Sequence, residues 1–549
     1  MKALSKTLII AVIILTGCTN NNVNRKEQQI HVENTTNQYD AKRDIIEDQL
    51  NKMTLNEKIG QMIISGIDGT SLTSSTKELV TQYKLGGFIL FKPNVKDTTK
   101  LVSLTNALKT ANTQNKVPLF ISVDQEGGRV NRMPNSILNT PAVRAIGNLN
   151  NEKYSYNIGK VIGRELSVFG FNTDFAPVLD IQTNINNTVI GDRSFGSDSQ
   201  LVSKLGISMM KGIKTNGIIP VVKHFPGHGD TSVDSHLELP VVLNDLARLK
   251  RVELVPFVNS FKANADMVMV AHILVKKVDP LYPASLSKPI IQDLLRNQLG
   301  FRGVIITDDV TMGAIIKHYS LRDAVIRSIN AGSDMVLVGH GKENAVSVYN
   351  SLLSAVKNKS ISMERINNSV YRILSLKNKY NITNNKVVPV NIVELNSQIK
   401  QASNIHTVSS DSEKTELLKS ISLNAKNGTV IDNPFHIKTS TIDMVRKVWG
   451  REDSSSYIPS LKGTYSTYTK KNIVVAYSQG QQLFEIRSYN PTIKNLSIED
   501  VKNYFGNPTT DIITGSNEEI VSYNINANTL KFVFKKQTLL LDHYSIYSR

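Results

Sequence analysis

Four short stretches of this chain carry residue types that could do chemistry. The densest is KHFPGHGDTSVDSH, Lys223 to His236. Two chemistries fit it. His224, His228, Asp230, Asp234 and His236 could hold a metal ion that activates water, although a Pro-Gly turn, not a helical spacing, separates His224 from His228. In the other, Asp234 and His236 are alternate residues of an extended loop, folded so that the carboxylate orients the imidazole and stabilises its charged form. Such a dyad is a general acid and base at neutral pH. The second stretch, DQEGGRVNR, has Gly127 and Gly128 for a sharp turn that leaves Asp124, Arg129 and Arg132 close together. The third, GDRSFG (191–196), supplies Arg193, and the fourth, ITDDVTMGA (306–314), supplies Asp308 and Asp309. Adjacent strand residues point to opposite sides, so only one of these two acids faces a site. The other reads as a helix N-cap or first-turn acid.

The elements that must position these groups are legible too. Apolar runs at 61–67, 87–91, 118–124, 172–178, 220–225, 267–273, 303–309 and 335–339 alternate with helical stretches. Near-continuous apolar strands, each followed by a helix, are buried parallel strands. Eight such units over residues 41–385 predict an α/β fold, a (β/α)₈ TIM-type barrel. The competing open, doubly wound sheet lacks its Gly-rich turn after the first strand. Asp124, His224, His272 and Asp308 end four different runs, and in a barrel those ends converge on the catalytic face.

Outside the barrel, residues 386–430 read as a polar, irregular linker with a short helix at 412–422, and 431–549 as a small α+β module. Within that module IDMVRKVWG (442–450) recurs faintly as IEDVKNYFG (498–506), a helix-then-strands unit used twice. At the other end, Lys2 and Lys6 precede an apolar run, Leu8–Leu15, too short to span a bilayer. Leu15-Thr16-Gly17-Cys18 follows, with the only cysteine of the chain. This resembles the lipobox of bacterial lipoproteins: residues 1–17 are a signal peptide, Cys18 is the lipidated residue, and polar residues 18–40 are a flexible tether. The expected location is the extracellular face of the cell membrane.

A single cysteine excludes a disulfide framework and a Cys-rich metal site, and 40% hydrophobic residues exclude a wholly disordered chain. The formal charge is +17, from 64 basic and 47 acidic residues. No basic stripe interleaved with aromatics accompanies it, which disfavours nucleic acid and suits an anionic wall or membrane surface.

In order and spacing, the four stretches resemble glycoside hydrolase family three, and more narrowly its bacterial β-N-acetylglucosaminidase branch, over about residues 45–385. The resemblance implies that Asp308, not Asp309, is the nucleophile of a retaining hydrolysis, with His236 the acid/base and Asp234 its partner. It makes Asp124 the carboxylate that grips sugar hydroxyls and places Arg132, Arg193, Lys223 and His224 around the sugar. It implies no metal, no cofactor, and peptidoglycan-derived saccharides as substrates. Phosphorolysis, β-glucosidase activity and a non-enzymatic surface lipoprotein are the alternatives. The resemblance assigns no role to residues 431–549, whose protein partner, if any, is unknown.

Overall fold

The computed structural model describes residues 45–231, 238–514, 518–535 and 540–548. Cys18, Asp234 and His236, and with them the signal peptide and tether, lie outside the described residues. The chain divides into two compact units, one ending at Ser403 and the other spanning Asn404–Arg549. No helix among the described residues is long and apolar enough to cross a membrane.

The first unit is a closed parallel barrel. Its strands are β1 (Ile63–Gly66), β2 (Gly87–Ile89), β3 (Phe120–Val123), β4 (Thr173–Asp174), β5 (Ile219–Phe225), β6 (Met267–Val270), β7 (Val304–Asp309) and β8 (Met335–Val338). Each expected apolar run overlaps one of them. Sequential strands pair around the circle, and β8 closes on β1 through Ile64 opposite Leu337. Residues of β1, β2, β3 and β8 are all buried, which is why the runs read as continuously apolar rather than alternating. Helices such as Glu152–Val168 and Ser199–Lys214 start at side-chain caps, Asn151 and Asp198, and lay an apolar stripe on the sheet.

The segment read as an irregular linker is largely a helix, Ile392–Lys426. Its apolar residues are sparse but fall at helical spacing. Leu395, Ile399 and Ala402 enter the core of the first unit, and Leu418, Ile421 and Ala425 enter that of the second. Stripes this thin, among so many polar residues, were hidden by composition.

The second unit is one antiparallel eight-stranded sheet with helices on one face. The internal repeat is real in three dimensions. Ile442–Trp449 and Ile498–Phe505 are helices capped by Thr441 and Ser497 and ended by Gly450 and Gly506, both at positive φ. Each precedes a four-stranded meander, and the two meanders join through their last strands, Leu483–Ser488 and Leu540–Tyr547.

Candidate active site

The C-terminal ends of the barrel strands surround a cavity of about 570 Å³, lined by Asp124, Glu126, Arg132, Arg193, Lys223, His224 and Asp308 among others. The barrel thus brings Asp124, Arg132, Arg193, Lys223, His224 and Asp308 together, while His272, expected on the same face, stays outside the lining. β5 explains how one strand supplies two of them. Its pairing with β6 slips between Val222 and Phe225, so Lys223 and His224 both reach the cavity, where strict alternation would turn one away.

On the β3–β5 side the floor is a lattice of paired charges. The Lys223 ammonium, 2% exposed, donates to Asp124 Oδ1 and lies 2.7 Å from Glu126 Oε1 as well. Arg193 grips the same Glu126 with two parallel bonds of 2.8 and 2.7 Å, the fork geometry that makes guanidinium–carboxylate pairs strong. Burial works to raise the Glu126 carboxyl, but Arg193 and Lys223 outweigh it and hold the group ionised, well below the usual range. Burial likewise works against the Lys223 ammonium, and Asp124 and Glu126 overcome it, keeping the charge.

His224 is fixed from behind. Its Nδ1 lies 2.6 Å from Asp180 Oδ2, while Asp180 Oδ1 accepts the His228 backbone N–H at 2.7 Å. Nε2 of His224 faces Arg193 Nη2 at 3.4 Å. Asp180 therefore ties the start of the loop that leaves β5. Beyond residues 232–237, Glu238 accepts from Lys317, which follows β7. The described ends of this stretch are thus held at β5 and next to β7.

Gly127 and Gly128, at φ +83° and +53°, make the turn after β3. A Cβ on Gly127 would stand 2.4 Å from Thr140 Oγ1. Buried Gln125 locks the returning arm: its Oε1 accepts the Arg132 N–H at 2.8 Å, and its own N–H donates to Asp174 Oδ1. Arg129, expected near the site, does line the cavity. Its guanidinium, however, is taken up by the Thr188, Val189 and Ile190 carbonyls and by Asp192, so it braces the loop that carries Arg193.

Across the cavity, Asp308 and Asp309 both line the wall, against the expectation that only one faces it, and what separates them is their partners. Burial would raise the Asp308 carboxyl, yet His272, His224, the Asp309 N–H and Lys223 outweigh it and lower it. Asp309 is spent on structure: it accepts from Thr311 N–H and Oγ1 and from the Gly339 N–H. Space there is tight, since a Cβ on Gly339 would meet Asp309 Oδ2 at 2.2 Å, and one on Gly66 would meet the Gly339 carbonyl oxygen at 1.8 Å. His272, fully buried, does not line the cavity; it bridges Ser285 Oγ and the Asp309 carbonyl, and so fixes the end of β7.

Sequence reading missed Glu126 and Asp180. Glu126 stands two residues from Asp124, and that period-two spacing was the available signal. Asp180, in VLD after β4, ends an apolar run as Asp308 does. On the rim, His340 stacks on Phe91 at 5.0 Å and 7° and approaches Asp309. Among the described residues, no cluster of three or more His, Cys, Asp or Glu is arranged to hold a metal ion. The arrangement can bind a polyhydroxylated ring through paired ions and set one ionised carboxylate against it.

The family described as glycosyl hydrolase family 3 N terminal domain matches residues 54–376. A domain of unknown function, DUF4309, matches 418–547. Beta-hexosaminidase A of Pseudoalteromonas piscicida is 36% identical over 334 residues, 56% of this chain and 56% of that protein. This chain therefore spans little more than half the length of that relative. Beta-hexosaminidase of Nitrosomonas eutropha is 34% identical over 52% of this chain and 82% of its own length. Among solved structures, a glycoside hydrolase family 3 beta-N-acetylglucosaminidase from Paenibacillus sp. superposes with a TM-score of 0.61 at 37% identity, over 64% of this chain and 68% of that one.

Proposed function

Because this chain belongs to glycosyl hydrolase family 3, we propose that its barrel is a retaining exo-β-N-acetylglucosaminidase, releasing terminal N-acetylglucosamine from peptidoglycan fragments. The observation that carries this reading is the ionised Asp308 facing the Asp124–Lys223–Glu126–Arg193 lattice in one cavity. The names of the similar β-hexosaminidases supply the sugar class.

In the first step the Asp308 carboxylate attacks the anomeric carbon as the glycosidic C–O bond breaks. Protonated His236, oriented by Asp234, gives its proton to the departing oxygen. Water then attacks the glycosyl-enzyme ester, neutral His236 takes its proton, and Asp308 is released as a carboxylate. Asp124 shares two sugar hydroxyls, while Lys223, Arg193, His224 and Arg132 donate to others. Fixed, already paired dipoles of this kind need no reorganisation when charge develops on the ring.

The test is release of N-acetylglucosamine from purified wall disaccharide and from an aryl β-N-acetylglucosaminide. Asp308→Asn should lower turnover about 10⁴-fold or more, and normal turnover in that variant ends the nucleophile assignment. Adding phosphate distinguishes hydrolysis from phosphorolysis, because only the latter yields a sugar 1-phosphate. The same proposal places the enzyme on the outer face of the membrane through a lipid on Cys18. Fatty-acid labelling of the wild type but not of Cys18→Ser is the expected result, and equal labelling removes the anchor.

A further inference from the structure

His340 follows β8 and projects from the rim of the cavity, its side chain 74% exposed. It is nevertheless held in place. Its ring lies flat on Phe91, which follows β2, at 5.0 Å and 7°. Its Nδ1 faces Asp309 Oδ2 at 3.5 Å. Its backbone is seated by the Gly339 N–H on Asp309 Oδ1, at a point where neither Gly339 nor Gly66 has room for a Cβ. A side chain this exposed and this well anchored at a cavity mouth is suited to contact a ligand.

Position indicates which part of the ligand. The groups that grip the sugar come from β3 and its loop, the loop after β4 and the end of β5, and Asp308 stands across the cavity from them on β7. A pyranose held by its far hydroxyls on the β3–β5 side turns its anomeric carbon toward β7. The departing group then leaves over the neighbouring rim, where β8 carries His340. With Nδ1 toward Asp309, Nε2 is left for that group, and the Phe91-backed imidazole offers it a flat face.

We propose that His340, mounted on Phe91, selects the leaving group by binding a carboxylate carried on the departing sugar. This rests on the reading of the barrel as a β-N-acetylglucosaminidase. The charged groups that face the imidazole are Asp309 from β7 and Asp68 from the segment after β1; the hydrogen bond to Asp309 comes first, and together they raise its pKa above the ordinary histidine value. The Nε2–H donor is therefore present below that raised pKa and lost above it, and a carboxylate preference should fade as pH rises through it.

The experiment compares kcat/KM for N-acetylglucosaminyl-N-acetylmuramic acid, its lactyl methyl ester and N,N′-diacetylchitobiose, with the full chain, His340→Ala and His340→Gln. The expected result is that both substitutions lower the ratio of the free acid to chitobiose about five- to tenfold, while the ratio of ester to chitobiose stays put. Cleavage of all three substrates with an unmoved acid-to-chitobiose ratio overturns the inference alone. A wild-type enzyme that cleaves none of them overturns the glycosidase reading and this inference with it.

Discussion

Replacing Glu126 by Gln is the sharpest probe of the charge lattice. The substitution keeps the shape and removes one negative charge that satisfies two cations, Arg193 through two bonds and Lys223 through one contact of 2.7 Å. Removing one partner of a buried ion pair costs about 3–5 kcal/mol, because the remaining charge is left uncompensated. Here Lys223 keeps Asp124, and Arg193 is 14% exposed, so the lower end, about 3 kcal/mol, is expected. The sign of the pH dependence follows from linkage. The Glu126 carboxyl is depressed below its ordinary value of 4.5 in the folded state, so its stabilisation is fully present above that value. It is lost as pH falls toward the folded pKa, because the unfolded chain takes up the proton first. The gap between wild type and variant should accordingly be full at pH 7 and close on acidification below about 4.5. Urea unfolding followed by far-UV circular dichroism measures it; the sole tryptophan, Trp449, belongs to the C-terminal unit and does not report on the barrel. Arg193, released from its fork, should also lose its aim, lowering kcat/KM about 10²-fold. A Gln variant within about 0.5 kcal/mol of wild type at pH 7, or a gap that widens in acid, would refute the reasoning.

Further outcomes follow from single contacts. Asp180→Asn leaves His224 without its carboxylate and weakens the anchor at His228, so kcat/KM on an aryl glycoside should fall about tenfold to a hundredfold, read by steady-state kinetics. Burial lowers His228 to about 4; the unfolded chain binds that proton first, so stability should decline by up to about 1.4 kcal/mol per unit as pH falls from about 6.5 to about 4. His228→Gln should flatten that slope in pH-dependent melts. At the opposite end of the barrel, buried Asp334 accepts from Arg296 and Arg372, and Asp334→Ala should cost about 3 kcal/mol in urea unfolding.

The barrel was legible because parallel strands buried on both faces leave an unmistakable sequence trace, and each run from 61–67 to 335–339 held its strand. Strand alternation predicted that only one of Asp308 and Asp309 faces the site, whereas both line the cavity, and it was the family resemblance that singled out Asp308. The same rule would have sent Lys223 and His224 apart, yet both line the cavity, where the register of β5 slips. Glu126 was passed over because a buried acid is recognisable only by its partners, and Arg193 is 67 residues away in sequence. The helix Ile392–Lys426 was misread for a related reason. Its stabilising contacts are tertiary, and its polar composition carries little trace of them.

Gly66 and Gly339 close the barrel where β1 meets β8, each occupying space that the other's backbone or Asp309 would otherwise forbid to a side chain. Neither glycine lines the cavity, and neither has a side chain that could move a proton. Yet a methyl group on Gly339 would push on Asp309, next to Asp308, and one on Gly66 would push on the Gly339 backbone. In a saturation scan scored by activity, both should therefore look as intolerant as Asp308 itself, and only a stability readout taken alongside would separate the carpentry of the seam from the chemistry it holds in place.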